Sequence, residues 1–124
     1  MKTLRTYLAM AAAALLPLSL FGQLNVGDTA PNFTLKDLQG NSHSLTDFRG
    51  QVVVIEFTNP NCPFVVKFYR PGAMQRFQAE AKAMGVVWLA VNPTVSTHRD
   101  FLTHEQSIEW TREHNVQVPW LMNE

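Results

Sequence analysis

Two apolar runs separated by one helical segment place the strongest constraint on the fold of this chain. Residues 52–57 form a nearly continuous β-branched run, and residues 86–91 form a second. Such runs are typical of strands that are covered on both faces in a parallel sheet. The order strand, helix, strand predicts a right-handed crossover in a parallel or mixed sheet, and therefore an α/β domain.

The segment between these runs has the pattern of an interrupted helix. Apolar residues recur at helical spacing from residue 65 to residue 84. Pro71 and Gly72 should break or kink this helix near its middle, and Gly85 should end it. Four large apolar residues of this region are expected in the hydrophobic core: Phe57, Phe77, Met84 and Trp88.

Short elements precede the first apolar run. Residues 32–36 alternate apolar and polar side chains, which indicates a short edge strand. Turn-forming residues follow at 37–41, and residues 42–45 can return as the second arm of a β-hairpin. Residues 46–50 are typical of a single helical turn that ends on a glycine. The domain is therefore expected to begin with a hairpin extension.

Two further elements follow the second apolar run. Thr103 and Gln106 form a capping-box pattern, which predicts a helix from there to about His114. Residues 118–122 are expected to begin a third strand. The chain has no internal repeat or low-complexity tract, so its length predicts one small domain.

The first 22 residues are expected to be a secretory signal peptide. A short basic start precedes an apolar stretch over residues 7–21, and cleavage is expected near Gly22 or Gln23. An uncleaved membrane anchor is the alternative interpretation. Cleavage would leave residues 23–124 as an exported domain, either periplasmic or secreted.

The charge balance argues against two classes of partner. The full chain carries 10 basic and 10 acidic residues. Loss of Lys2 and Arg5 with the signal peptide would leave a small acidic excess in the mature domain. This balance indicates neither a nucleic acid nor an anionic membrane as a partner. Membrane association is expected only if the signal segment is retained.

Cys62 is the only cysteine of the chain and the leading candidate for a reactive group. It stands among turn-forming residues where the first strand gives way to the helix. A thiol in the first helical turn lies against unsatisfied backbone amides and the positive end of the helix dipole, which can lower a cysteine pKa from about 8.5 towards roughly 3.5 to 7.5. The alternative is a small buried hydrophobe. An exported chain with one cysteine cannot form an internal disulfide, so a reactive thiol would need an external partner.

Three neighbours of Cys62 are candidate substrate contacts. Asn61 could cap the helix or orient a ligand. Pro63 would fix the first helical turn. Phe64 could line a substrate groove or be buried. No cofactor is predicted. No metal site is predicted either, because the four histidines lack metal-type spacing: His43, His98, His104 and His114.

Several segments together resemble a known family. They are Val-Gly-Asp at 26–28, Ala-Pro-Asn-Phe-Thr-Leu at 30–35, Leu-Thr-Asp-Phe-Arg-Gly at 45–50, Asn-Cys-Pro-Phe-Val at 61–65 and Gly-Val-Val-Trp-Leu at 85–89. In this order they resemble the thioredoxin-like redoxins of the alkyl hydroperoxide reductase and thiol-specific antioxidant (AhpC/TSA) family. The resemblance implies a thioredoxin-like fold with an N-terminal β-hairpin extension and a mixed sheet flanked by helices. It also implies that the C-terminal part of the domain is missing from this chain.

The chain departs from the patterns of related redoxins at two places. Val65 occupies the position of the second cysteine of a Cys-x-x-Cys pair, so a self-contained dithiol cycle is not expected. Peroxiredoxins carry a threonine or serine three residues before the peroxidatic cysteine, and a proline four residues before that threonine or serine. Asn59 and Ile55 occupy those positions here, and this weakens the expectation of peroxidase activity.

The resemblance implies an oxidoreductase or antioxidant centred on Cys62. Its thiolate would attack a small peroxide or a disulfide, and an external thiol reductant would restore it. Glu56 falls six residues before Cys62, where thioredoxins keep a buried acid, and could act as a general base or acid. The alternative for Glu56 is contact with solvent or a pair with Lys67. The alternatives for the protein are thiol-disulfide exchange through mixed disulfides with a partner protein, or a non-catalytic binding module.

Overall fold

The computed structural model describes residues 23–123 of the 124-residue chain, in two units. The first unit is Met1–Ala30, of which residues 23–30 are described. They contain a turn in which the backbone amide of Asn25 donates to Asp28 Oδ2 at 2.8 Å. The second unit, Pro31–Glu124, contains the sheet and the helices. The predicted signal peptide, residues 1–22, lies outside the described residues and stays a prediction.

The described residues of the second unit form one mixed five-stranded sheet. Its strands are β1 (Thr34–Asp37), β2 (Ser42–Ser44), β3 (Val53–Phe57), β4 (Val87–Asn92) and β5 (Trp120–Met122). Their order across the sheet is β2-β1-β5-β4-β3. Strand β4 runs parallel to both β3 and β5, whereas β1 runs antiparallel to both β2 and β5. The α/β class and the mixed sheet agree with the sequence-based prediction.

Within residues 23–123, three helices and one short turn accompany the sheet. They are the 3-10 turn Leu45–Phe48 and the helices α1 (Pro63–Tyr69), α2 (Ala73–Ala83) and α3 (His104–Glu113). The predicted helix break is confirmed, because Gly72 separates α1 from α2 in the left-handed backbone region, with φ of 74°. The predicted capping box is confirmed too. The amide of Thr103 donates to Gln106 Oε1 at 2.8 Å, and the amide of Gln106 donates to Thr103 Oγ1 at 3.3 Å.

The N-terminal hairpin is confirmed, but its first strand is not an edge strand. Strand β1 pairs with β2 on one side and with β5 on the other, where Lys36 lies opposite Met122. The prediction for residues 32–36 was wrong because alternation indicates a half-buried strand without showing how many neighbours it has. The hairpin turn is held by the carboxylate of Asp37. This group accepts bonds from the amides of Gln39 and Asn41 at 2.9 Å and from His43 Nε2 at 2.8 Å.

The two faces of the sheet carry separate buried clusters. Leu89, Val91 and Leu121 form one cluster. Leu38, Ala90 and Trp120 form the other, and the last two are neighbours in sequence of the first cluster's residues on β4 and β5. Successive side chains of a strand point to opposite faces, so both faces of β4 and β5 are covered. The prediction of a buried second apolar run is confirmed for this part of β4.

The prediction of a fully covered first apolar run was wrong. Within the described residues β3 is an outer strand, paired only with β4, and most of its side chains are partly exposed. Phe57 is 71% exposed, and Phe77 and Met84 are 49% and 74% exposed, so none of the three is a core residue. Trp88 is only partly buried. Apolar character sets the cost of exposing a side chain, but the neighbouring elements decide whether anything covers it.

Candidate functional site

Cys62 lies at the junction of β3 and α1. Its amide donates to the carbonyl of Asn59 at 2.9 Å, which closes a turn after the strand. Its own carbonyl accepts the bond from the amide of Val66 at 3.1 Å, the first bond of α1. Cys62 is thus the N-cap residue, with extended backbone angles, and its side chain is partly exposed and not in a disulfide. A solute can therefore reach the segment that carries the thiol.

The two residues after Cys62 are exposed. Pro63 is the first residue of α1, where the missing amide hydrogen of proline leaves no helical bond unmade. Its predicted role in the first turn is confirmed. Phe64 is 74% exposed, so the alternative of a buried Phe64 was wrong. Contact of Phe64 with a substrate stays a prediction.

Asn61 does not cap the helix. No side chain makes a capping bond at α1, because Cys62 occupies the N-cap position. The side chain of Asn61 instead donates to the carbonyl of Asp100 at 3.4 Å. The predicted cap was wrong by one residue, because a pattern of turn-forming residues does not fix the start of a helix to a single position. The role of Asn61 in orienting a ligand stays a prediction.

Asn59 holds the Cys62 loop in place, and sequence reasoning gave it no role. Its side-chain amide donates to Thr94 Oγ1 at 2.7 Å and to the carbonyl of Asp100 at 3.4 Å. Its side-chain carbonyl accepts the bond from the amide of Asn61 at 2.8 Å. Asn59 therefore connects the loop before Cys62 to the loop after β4. The available signal was the Asn-Pro-Asn sequence, since asparagine side chains commonly bond to the backbone two residues on.

Glu56 accepts hydrogen bonds from three side chains on three different elements. Tyr69 Oη donates to both carboxylate oxygens, at 2.9 and 3.1 Å. Trp88 Nε1 donates at 2.9 Å, and Gln78 Nε2 donates at 3.3 Å. The alternative of a pair with Lys67 was wrong, because the ion pairs of residues 23–123 do not include one. In the same part of the chain, no hydrogen bond joins Glu56 directly to Cys62.

Tyr69 is the centre of this network and was missed from the sequence. It is 1% exposed, and burial, together with the nearby charge of Glu56, raises the pKa of its hydroxyl far above the usual value. Tyr69 therefore stays a neutral donor to the carboxylate. Gln78 in turn donates to Tyr69 Oη at 3.0 Å. The helical pattern placed Tyr69 on an apolar face but could not show which acceptor its hydroxyl meets.

An open groove of about 600 Å³ adjoins the Cys62 segment. We call it the α1–α3 groove. Pro60, Asn61 and Pro63, which flank Cys62 in sequence, line one part of it. Lys67 and Arg70, one helical turn apart at the end of α1, line another. The groove therefore connects the neighbours of the cysteine with two exposed cationic side chains.

Trp110 and His114 line the groove from the α3 side. Their rings are stacked, with centroids 4.2 Å apart and planes 18° apart. Trp110 also packs edge-on against Tyr69, with the ring centroids 4.9 Å apart. The same tyrosine thus contacts the carboxylate of Glu56 through its hydroxyl and the groove wall through its ring. Sequence reasoning gave Trp110 no role, and its position at the end of α3 carried no signal of this contact.

The described part of the chain shows no group of three or more side chains suited to a metal ion. His43 pairs with Asp37 in the hairpin, and His98 accepts a bond from the amide of Asp100.

No helix among residues 23–123 is both long enough and apolar enough to cross a membrane.

The strand order, the helix break and the cysteine at the first turn of α1 together define a thioredoxin-like redoxin. The thioredoxin domain of a thiol-disulfide oxidoreductase from Bacteroides vulgatus has the same fold. It superposes with a TM-score of 0.63 at 24% identity, over 82% of this chain and 66% of that chain. The thioredoxin-like fold implied by the resemblance is therefore confirmed.

The chain belongs to the AhpC/TSA family, whose sequence profile matches residues 26–124. The thiol-disulfide oxidoreductase ResA of Geobacillus thermodenitrificans is 51% identical over 37 residues, which are 30% of this chain and 21% of that protein. The chloroplastic peroxiredoxin Q of Gentiana triflora is 33% identical over 73 residues, which are 56% of this chain and 34% of that protein. The chain thus spans about a fifth to a third of the length of these two relatives.

Proposed function

We propose that this protein is an exported thiol oxidoreductase in which Cys62 attacks a peroxide or a disulfide and is restored by an external thiol. The observation that carries this proposal is the position of Cys62. The only cysteine of the chain stands at the first turn of a helix, after the loop that follows the parallel strand β3, with its side chain partly exposed. Membership of the AhpC/TSA family, together with similarity to a thiol-disulfide oxidoreductase and a peroxiredoxin, supports the same chemistry.

With a peroxide, the Cys62 thiolate attacks one oxygen and the O–O bond breaks. The sulfur becomes a sulfenic acid, and the other oxygen leaves as an alcohol or water after taking a proton. One external thiol then displaces water to form a mixed disulfide with Cys62. A second thiol releases Cys62 and leaves as the oxidised disulfide. The peroxide is reduced by two electrons that the two thiols supply.

With a disulfide, the same thiolate attacks one sulfur of the partner. The partner's S–S bond breaks, a mixed disulfide with Cys62 forms, and the second partner sulfur leaves as a thiolate. Val65 stands where a second cysteine would resolve this intermediate within the chain. The mixed disulfide therefore persists until an external thiol attacks it.

The supporting residues have proposed roles around this sulfur. Asn61, Pro63 and Phe64 are exposed and adjacent to Cys62, so they are the proposed substrate contacts. Glu56 is the proposed proton acceptor or donor. Among residues 23–123 its hydrogen bonds go to Tyr69, Gln78 and Trp88 and not to Cys62, so the proposed proton transfer to the thiol runs through solvent.

The test compares the purified protein with its Cys62→Ser variant. Peroxide-dependent consumption of thiol, together with a sulfenic acid trapped on Cys62 and identified by mass spectrometry, is the result expected for the peroxidatic reaction. Mixed disulfides recovered from an extract, without peroxide turnover, would instead select thiol-disulfide exchange. An unreactive Cys62 in both assays would contradict the proposal and leave a non-catalytic binding module.

Export is tested separately by sequencing the amino terminus of the protein recovered outside the cytoplasm. We expect it to begin near Gln23. An amino terminus at Met1 on exported protein would contradict cleavage and favour a retained anchor.

A further inference from the structure

The α1–α3 groove has a basic lining. Lys67, Arg70 and His114 line it, and no aspartate or glutamate of the described chain does so. Lys67 and Arg70 are exposed, and neither takes part in the ion pairs found among residues 23–123. Arg112 on α3 differs, because it pairs with Glu109. The groove therefore offers cationic side chains that the domain does not itself neutralise.

The α3 side of the groove is held in a fixed geometry. His114 Nδ1 lies 3.0 Å from the carbonyl oxygen of Trp110, which can only accept, so this nitrogen carries the proton and donates. The other ring nitrogen of the neutral imidazole is then an acceptor, suited to a backbone N–H of a bound segment and not to a carboxylate. Gln75 Nε2 donates to the carbonyl of His114 at 2.6 Å and to the carbonyl of Tyr69 at 3.1 Å. This side chain therefore ties the end of α3 to the end of α1.

From this lining we propose that the α1–α3 groove binds an acidic segment next to the reacting cysteine of a partner protein. The inference rests on the proposed function, because it names the partner chemistry of the same site. Pro60, Asn61 and Pro63, the neighbours of Cys62 in sequence, line the groove, whereas Cys62 itself is not among its lining residues. A segment bound in the groove therefore lies next to the loop that carries the thiol. The Cys62 thiolate then attacks the segment's disulfide. A mixed disulfide with Cys62 forms, the partner's S–S bond breaks, and the released partner thiolate takes a proton.

An extended segment suits this groove because of its shape and the spacing of its charges. The groove is open to solvent, and its volume of about 600 Å³ is ample for several side chains. Lys67 and Arg70 are three residues apart at the end of α1, so both can meet carboxylates of one chain. Because these cations are exposed, their attraction acts mainly on the association rate and weakens with salt.

The experiment uses three synthetic peptides that each carry one cysteine as a 2-thiopyridyl disulfide. They differ only in the flanking residues, which are glutamates, glutamines or lysines. Release of the thiopyridine gives the rate constant for attack by Cys62. We expect the glutamate peptide to react about tenfold faster than the glutamine peptide at low salt, with the difference nearly gone at roughly 0.5 M salt.

Two charge-reversal variants distinguish the effect of the groove's charges on the reaction rate from the effect of the protein's net charge. The Lys67→Glu/Arg70→Glu variant should lose or reverse the preference for the glutamate peptide. The matched control, Arg76→Glu/Lys82→Glu, makes the same charge change at exposed residues of α2 that do not line the groove. It should keep most of the preference. Equal effects of the two variants, or equal rates with all three peptides, would overturn the inference while leaving the proposed function intact.

Failure of the proposed function gives a different result. If no peptide disulfide reacts with Cys62, the proposed chemistry is contradicted, and the groove is then tested by binding alone. That measurement uses the Cys62→Ser protein and a glutamate peptide with serine in place of cysteine. Binding that weakens with salt and is lost in Lys67→Glu/Arg70→Glu would support the groove as an acidic-segment site, and no binding would overturn it.

Discussion

The hydroxyl of Tyr69 donates a hydrogen bond to Glu56 Oε1 at 2.9 Å. This contact joins the last residue of α1 to the strand that precedes the cysteine, so it holds both ends of the Cys62 segment. The ring of the same tyrosine packs edge-on against Trp110 in the wall of the α1–α3 groove. Tyr69 therefore positions the reactive segment and the groove relative to each other.

Replacement of this tyrosine tests how much its hydroxyl stabilises the domain. Tyr69→Phe leaves the ring but removes a donor to Glu56 and an acceptor for Gln78. Because both partners are in a largely buried network, we expect a loss of about 1 to 3 kcal/mol in the free energy of unfolding, measured by urea denaturation. Arg112→Gln, which breaks an exposed ion pair, is the control and should change the free energy of unfolding much less. Equal losses would show that the tyrosine hydroxyl has no special role.

Glu56→Gln tests the proposed proton transfer. The variant cannot exchange a proton, so we expect the rate of Cys62 alkylation or peroxide reaction to fall about tenfold or more and its pH dependence to change shape. The measurement is the second-order rate constant from pH 5 to pH 10. Trp88→Phe is the matched control, because it disturbs the same network but retains the carboxylate. A Glu56→Gln profile that matches the wild type would remove Glu56 from the mechanism.

Val65→Cys tests the inference that Val65 stands where a resolving cysteine would lie. The new cysteine stands three residues after Cys62 and one turn along α1, where two such side chains are neighbours. We expect oxidation to close an intramolecular disulfide, seen as a mass loss of about 2 Da, and mixed disulfides with partners to become short-lived. In Phe68→Cys the new thiol lies on another side of the helix, so that variant should keep its mixed disulfides. Stable mixed disulfides in both variants would contradict the expectation.

The hairpin carboxylate gives a prediction for acid stability. Burial alone would raise the pKa of Asp37, but bonds from His43, Asn41 and Gln39 outweigh it and lower the pKa from 3.8 to about 2. Because the folded pKa lies below the unfolded one, the stabilisation is complete above about pH 4 and is lost as the pH falls towards 2. We expect about 2 kcal/mol to be lost across this window, measured by denaturation at a series of pH values.

Asp37→Asn provides the comparison for this measurement. The variant should be less stable than the wild type at neutral pH, and the difference should shrink as the pH approaches 2, because the wild-type carboxyl is then protonated as well. A difference that stays constant from pH 7 to pH 2 would show that Asp37 is not the group responsible.

Local patterns were sufficient to predict the secondary structure and the place of the cysteine. Pro71 and Gly72 predicted the break between α1 and α2, and the Thr103–Gln106 pair predicted the start of α3. Backbone conformation and capping depend on residues a few positions apart, so the sequence carries this information directly. The same reasoning placed Cys62 at the first turn of a helix.

Only the tertiary structure decided which groups meet. Strand β1 gained a second neighbour from the far end of the chain, and Phe57 was left exposed because no described strand lies beyond β3. Packing brought the hydroxyl of Tyr69 within hydrogen-bond distance of Glu56. It also placed the basic side chains at the end of α1 and Trp110 of α3 around one groove. A side chain's chemistry fixes the kind of contact it needs, but its partner is set by how distant segments pack, and short-range patterns do not contain that information.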